Sequence, residues 1–270
     1  MSNRLSNTVS ALSFLSAILI LISGLIGIYT PGFYKLESVN WQQQAIAQDI
    51  IDVFLIVPLL LGTAILSYRK PGKAFYIEAG INLYLVYTYA IYCFDIQFNS
   101  LFIIYCVILG FAFYSLIIFW VRIFKEPVIS KNHGFYPFRL TGIYLVIVSL
   151  LFYTLWLSDI IPAIINHDVP NALKETGLVT NPVHVLDLSI ILPGLFIAGM
   201  LLIRRNSFAY RLTPVILTFM ILMDVTIIFL TIVMFLHGVI NVLNSAMIAI
   251  MGLQALFCVV LLRSSLKSVE

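Results

Sequence analysis

The sequence predicts an all-α integral membrane protein: eight transmembrane helices arranged as two parallel four-helix repeats. Three observations carry that prediction. Hydrophobic residues make up 61% of the chain and charged residues 10%, against roughly half and a quarter in a soluble globular domain. Apolar runs recur along the whole length, each long enough for the roughly 20 residues that cross a ~30 Å hydrocarbon core. Two segments 135 residues apart, half the chain of 270, align without a gap.

The apolar runs lie at roughly 8–30, 47–68, 74–97, 100–123, 138–162, 183–203, 211–236 and 239–262. They are read as helices, because lipid cannot satisfy an open backbone. Barrel strands would alternate polar and apolar residues, and these runs do not. The first run follows Arg4, as a signal peptide would. It is too long for that, and no small-residue cleavage site follows it at GIYTPGFYK, so a span is expected. Within it, Ser23 and Gly27 have the four-residue spacing that lets helices approach closely.

Basic residues set the expected orientation. With both termini cytoplasmic, the inside segments hold 13 lysines and arginines, and the outside loops hold only Lys35 and Lys174. That is a strong positive-inside bias. It accounts for the net charge of +3 without nucleic acid. The bilayer is the expected partner, each cation near anionic head groups being worth about 1 kcal/mol. No oligomeric state is legible.

Before span two, LESVNWQQQAIA reads as a short interfacial helix with Trp41 at the surface. Span two then carries Asp49 and Asp52, three apart on one helix face, and Pro58. Span three carries Glu78, Asn82 and Tyr89 on one stripe. Glu78 is a candidate by default, since a charge in a span is expensive; snorkelling to Arg69, Lys70 or Lys73 is the plainer reading. Tyr84, Tyr87, Tyr89 and Tyr92 read as interface anchors and packing. Cys93 and Cys106 flank the DIQFNS turn, which sets them at one depth on neighbouring helices. With Cys258 they all fall inside spans, which is no disulfide framework.

The repeat appears when DIIDVFLIVPLLLGTAILSYRKPGKAF (49–75) is set above HVLDLSIILPGLFIAGMLLIRRNSFAY (184–210). Asp52 then falls on Asp187, Pro58 on Pro193, Arg69 on Arg204 and Phe75 on Tyr210. The halves are expected at 1–135 and 136–270, within one compact membrane bundle. A four-span repeat begins and ends on one side, so the halves are parallel. Transporters built from repeats place their sites at the repeat interface.

Asp49, Asp52, His184 and Asp187 would then converge. Each proline would free a carbonyl four residues earlier, Phe54 for Pro58 and Ser189 for Pro193. Carbonyls beside carboxylates suit a hard cation or a proton; an imidazole shifts the preference toward zinc, iron or manganese. His184, Asp187 and Asp52 are the candidate ligands if a divalent metal binds. The plainer reading is helix-start chemistry: Asn181 as N-cap, Pro182 at the first position, and aspartates complementing the helix dipole.

Span seven holds Asp224 near its middle, the deepest charge in the chain. Asn241, Asn244 and Gln254 in span eight read as interhelical glue. His133 and His167 are loop histidines with no visible partner. The chain has no phosphate loop, no Gly-x-Ser-x-Gly, no His-Glu-x-x-His and no Cys-x-x-Cys. No catalytic residue and no cofactor is evident.

NPVHVLDLSIILPGLF, together with QDIIDVFLIVPLLL, resembles a family of bacterial polytopic membrane proteins of about eight spans whose activity is unknown. The resemblance implies a prokaryotic cytoplasmic membrane protein and supplies no activity. The reading expected from the residues is a transporter-like protein for a small solute or ion, with proton coupling as one option. Its site is Asp49, Asp52, His184 and Asp187, with Asp224, and Glu78 as a further candidate, continuing inward. The alternatives are a membrane-embedded metal-dependent enzyme and a non-catalytic sensor, scaffold or assembly factor.

Overall fold

The computed structural model describes residues 2–125 and 138–268. It is 85% helical, with no strand among the described residues. We number the helices α1 (Ser2–Tyr29), α2 (Val39–Arg69), α3 (Lys73–Asp95), α4 (Phe102–Lys125), α5 (Phe138–Ile165), α6 (Asn171–Thr176), α7 (Pro182–Ile203), α8 (Ser207–Leu236) and α9 (Ser245–Ser268). The expected boundary between halves, at 135/136, and His133 lie outside the described residues.

Seven of these helices are long and apolar enough to cross a membrane: α1, α2, α4, α5, α7, α8 and α9. The protein is therefore a multi-pass membrane protein by the length and composition of its helices. Helix α3, the third expected span, is a helix of 23 residues that does not meet the same measure of apolarity. Glu78, Asn82 and its tyrosines lower its hydropathy. It compensates by burial in protein: 14 of its residues are buried, so its polar groups meet other side chains.

The described residues form two compact units. The first contains α1 to α4 and the chain from Pro214 onward; the second contains α5 to α7 and the start of α8 through Thr213. In the first unit, α1 packs on α2, α3 and α4. Its buried face is made of small residues. Ser6, Ser10, Ser13, Ser16, Ala17 and Ser23 are all at most 3% exposed, and with the buried Ile20 they stand at the helical spacings that define one stripe. Near one end, Gly24 faces Val53 and Gly27 faces Asp49. A methyl group at Gly27 would strike the Asp49 carboxylate and the Tyr34 hydroxyl. Near the other end, Val9, Phe75, Ala79, Phe119 and Val215 form an apolar cluster, with the Arg122 guanidinium 4.4 Å over the Phe75 ring.

Helix α2 starts earlier than the apolar run suggests. Ser38 caps it, its side chain accepting from the Trp41 N–H at 3.2 Å. The expected interfacial helix is thus the first part of α2 itself, and Trp41 is buried rather than at the surface. This also moves Asp49 and Asp52 out of any first helical turn: they stand more than two turns inside α2. The helix dipole is not what holds them there.

In the second unit, α5 and α7 run antiparallel as one seam. Gly142 meets Gly199, the Ser149 hydroxyl donates to the Leu192 carbonyl (2.8 Å), and the Tyr153 hydroxyl donates to the Leu188 carbonyl (3.2 Å). At its far end the Trp156 ring lies 4.6 Å from the His184 ring. Helix α7 begins as expected, with Pro182 at the first turn and Asn181 Oδ1 accepting from the His184 N–H. In the connection, Asp159 Oδ1 and Oδ2 accept from the Asn171 and Ala172 N–H groups and so cap α6. The Lys174 ammonium, aided by the Val169 N–H, holds the exposed Asp168 carboxyl below the ordinary carboxylate range.

Each membrane helix that carries the Asp-x5-Pro motif contains one π-helical turn. The turns are Asp52–Ile56 and Asp187–Ile191, again 135 residues apart. In both, the N–H after the turn reaches back five residues, Val57 to Asp52 and Leu192 to Asp187. The prolines are accommodated by this looser register rather than by a simple break. In that register the carbonyl five residues before Pro193 is that of Leu188. It is already satisfied by Tyr153, so it does not stand open as a cation ligand.

Candidate functional site

Two buried carboxylates define the site in the first unit. Asp49 and Asp52 are 3% and 1% exposed, and neither forms an ion pair with a lysine, arginine or histidine among the described residues. Their compensation comes from neutral donors. Asp49 accepts from the Tyr34 hydroxyl at 2.7 Å and the Tyr92 hydroxyl at 2.8 Å. Asp52 accepts from Gln48 Nε2 at 2.9 Å and, more loosely, from the Tyr89 hydroxyl at 3.4 Å.

The network extends beyond the pair. Gln48 Nε2 also donates to the Tyr84 hydroxyl (2.8 Å), and Tyr84 shares a hydrogen bond with the Thr226 hydroxyl (2.9 Å). The rings of Tyr89 and Tyr92 stack at 5.3 Å, and Tyr105 packs edge-on to Tyr92 at 5.0 Å. The result is a cage of buried aromatic rings whose phenolic hydroxyls point at the carboxylates. Such a cage needs residues from several elements. Tyr34 comes from the 30–38 loop, Gln48 from one turn before Asp52, and the tyrosine stripe from α3. Tyr84, Tyr87, Tyr89 and Tyr92 are all buried, so they are not interface anchors.

A second polar patch lies further along α3. Glu78 and Asn82 are fully buried. Glu78 accepts from the Ser10 hydroxyl at 3.4 Å, and Asn82 Nδ2 donates to Ser13 Oγ at 3.0 Å. Glu78 therefore turns inward to the serine stripe of α1 rather than outward to Arg69, Lys70 or Lys73. Glu78 Oε1 and Asn82 Oδ1, both buried, have no hydrogen-bond partner within 3.5 Å among the described residues, although Ser67 and Ser13 also lie close to Glu78. Asp224, also buried, accepts from Gln254 Nε2 at 2.9 Å through one oxygen, while its other oxygen has no partner among the described residues. Gln254 thus acts as interhelical glue, as expected. Asn244 does not: it lies before α9, and its Oδ1 accepts from the Met247 N–H. Asn241 is an exposed residue in the same loop.

In the second unit, Asp187 accepts from Trp156 Nε1 at 2.9 Å, and the same indole packs against the buried His184 ring. Trp156 therefore organises both predicted residues of this unit. Trp156→Phe keeps the ring contact and removes the donor to a buried carboxylate. We expect it to lower stability by about 1–2 kcal/mol, measured as a fall in the thermal unfolding midpoint of the detergent-solubilised protein. Among the described residues, no group of three or more His, Cys, Asp or Glu side chains is placed to hold a metal ion.

Sequence reasoning missed Tyr34, Gln48, Tyr105, Trp156 and the serine stripe. The stripe was open to view, since Ser6, Ser10, Ser13 and Ser16 repeat at helical spacing. Gln48 carried a weaker signal, one turn before Asp52. Tyr34 and Tyr105 carried none. No family model, no curated protein and no solved structure matches this chain.

Proposed function

We propose that the protein is a transporter-like component of a bacterial cytoplasmic membrane, with eight spans, two four-helix repeats and both termini cytoplasmic. In this reading it moves protons, alone or with a small solute or ion, through the polar core of its first unit. The observation that carries it is the pair Asp49 and Asp52: buried, one turn apart beside a π-helical turn, and without a cationic partner. A carboxylate so enclosed is costly in its charged form. A proton or a small cation is the natural means of neutralising it.

The surroundings support a proton more than a metal. Among the described residues, every side-chain donor to the pair is a phenol or an amide, and phenols can both give and take a proton. The Gln48 amide, the Tyr84 hydroxyl and the Thr226 hydroxyl continue the hydrogen-bond network away from Asp52. Glu78 and Asn82, with their unpartnered oxygens, lie along the same face of α3 and extend the polar path. The matching π-turns at an offset of 135 favour the repeat.

The test is reconstitution. Purified protein in vesicles carrying a pH-sensitive dye should acidify or alkalise the lumen when a potassium diffusion potential is imposed, well above empty vesicles. Flux equal to empty vesicles across the pH range 5–8, with folded protein present, would sink the proton reading.

A further inference from the structure

The strongest feature that this reading does not use lies at the rim of the tyrosine cage. Cys93, in the last turn of α3, and Cys106, in the second turn of α4, have their sulfurs 3.9 Å apart. Cys93 is half-buried and Cys106 exposed, and neither is in a disulfide. Each thiol is the immediate neighbour of a cage residue: Cys93 follows Tyr92, and Cys106 follows Tyr105. We propose that Cys93 and Cys106 are a redox-active dithiol that closes into a reversible disulfide, stapling α3 to α4 at the rim of the cage.

The geometry favours closure. The sulfurs, now 3.9 Å apart, need to approach to about 2.05 Å. The short 96–101 connection already holds the two helix ends together. Its Gln97 N–H donates to Glu37 Oε1 at 2.7 Å, and Gln97 Nε2 donates to the Leu36 carbonyl at 2.6 Å. The inference rests on this geometry and not on transport; the proposed orientation adds only that both thiols face the outer side, where small disulfides meet them.

The step balances as thiol–disulfide exchange. The exposed Cys106, as thiolate, attacks one sulfur of a small disulfide and expels the other half as a thiol. Cys93 then attacks Cys106 Sγ in the mixed disulfide and expels the second half. Two electrons pass from the cysteine pair to the small disulfide, and the two cysteine protons end on the two released thiols.

The third cysteine supplies an internal control, since Cys258 is fully buried in α9. The experiment treats the detergent-solubilised full chain with oxidised glutathione, then counts thiols after denaturation and weighs the intact protein. The expected result is a loss of two of the three thiols, a mass with no glutathione attached, and full recovery on dithiothreitol. In Cys93→Ser the exchange should stop at the mixed disulfide, so one glutathione stays bound to Cys106. Three thiols remaining in the folded wild type, or glutathione retained on it without an internal bond, would overturn the proposal. So would an unchanged product pattern in Cys93→Ser.

Discussion

Asp52→Asn is expected to reduce proton flux in reconstituted vesicles by roughly a hundredfold, the scale on which a positioned proton-transferring group contributes. The substitution is chosen because it changes little else. An asparagine carbonyl still accepts from Gln48 Nε2, which stands 2.9 Å from the native oxygen. The volume in the cage is unchanged, so the thermal unfolding midpoint should move by only a few degrees. What is lost is the capacity to hold a proton and release it. Flux at the wild-type level in a folded Asp52→Asn protein would remove Asp52 from the proposed path. Asp52→Ala is the less informative variant. It removes one acceptor from the Gln48 amide, which keeps Tyr84, and one from the Tyr89 hydroxyl, at about 1–3 kcal/mol for any group left unsatisfied, and so mixes function with folding.

The largest effect on stability is expected at the α5–α7 seam. A Cβ at Gly199 would stand 2.7 Å from the Gly142 carbonyl oxygen and 2.8 Å from Val146 Cγ2. The first of these is backbone and cannot swing aside, so the helices must part. Overpacking of this kind costs about 1–3 kcal/mol, more than the roughly 0.5–1 kcal/mol that alanine gains over glycine within a helix. Parting the seam also stretches the neighbouring Ser149–Leu192 hydrogen bond. Gly199→Ala should therefore lower the unfolding midpoint, and Gly199→Val should lower it further. Gly62 is the control. A Cβ there meets nothing within 4 Å, so Gly62→Ala should keep the helical gain and raise the midpoint slightly. A Gly199→Ala protein as stable as wild type would mean that the seam is looser than its backbone contact indicates.

The class of fold was legible because it depends on summed hydropathy, which a single chain reveals. Asp49, Asp52, Asp187 and Asp224 stood out for the same reason: a carboxylate in an apolar run is conspicuous without knowledge of its neighbours. The start of α7 was legible because Asn181 and Pro182 are local signals. What failed depended on packing. Tyrosine suits both a membrane interface and a buried hydrogen bond, so the α3 tyrosines could be assigned only after their hydroxyls were seen to meet carboxylates. Trp41 was misplaced because the start of α2, at Ser38, was hidden in a polar stretch. Asn244 was taken for glue because the apolar run hides where α9 begins. The π-turns were invisible for a different reason: proline signals a disturbed helix, but not whether the helix breaks or gains a residue.

That surplus residue has a mechanical meaning. A π-turn is a dislocation in the helix: one extra residue in the thread, with regular winding on either side. Dislocations travel by exchanging hydrogen-bond partners one at a time, without unwinding the rod. As one passes, each residue it sweeps over turns by about 100°, the angle of one α-helical step. In α2 the dislocation begins at Asp52. Moving it toward Gln48 would sweep both aspartates around the helix axis while the rest of the helix stayed seated. The protein thus has, in one ordinary-looking rod, the means to re-aim its charges without a hinge.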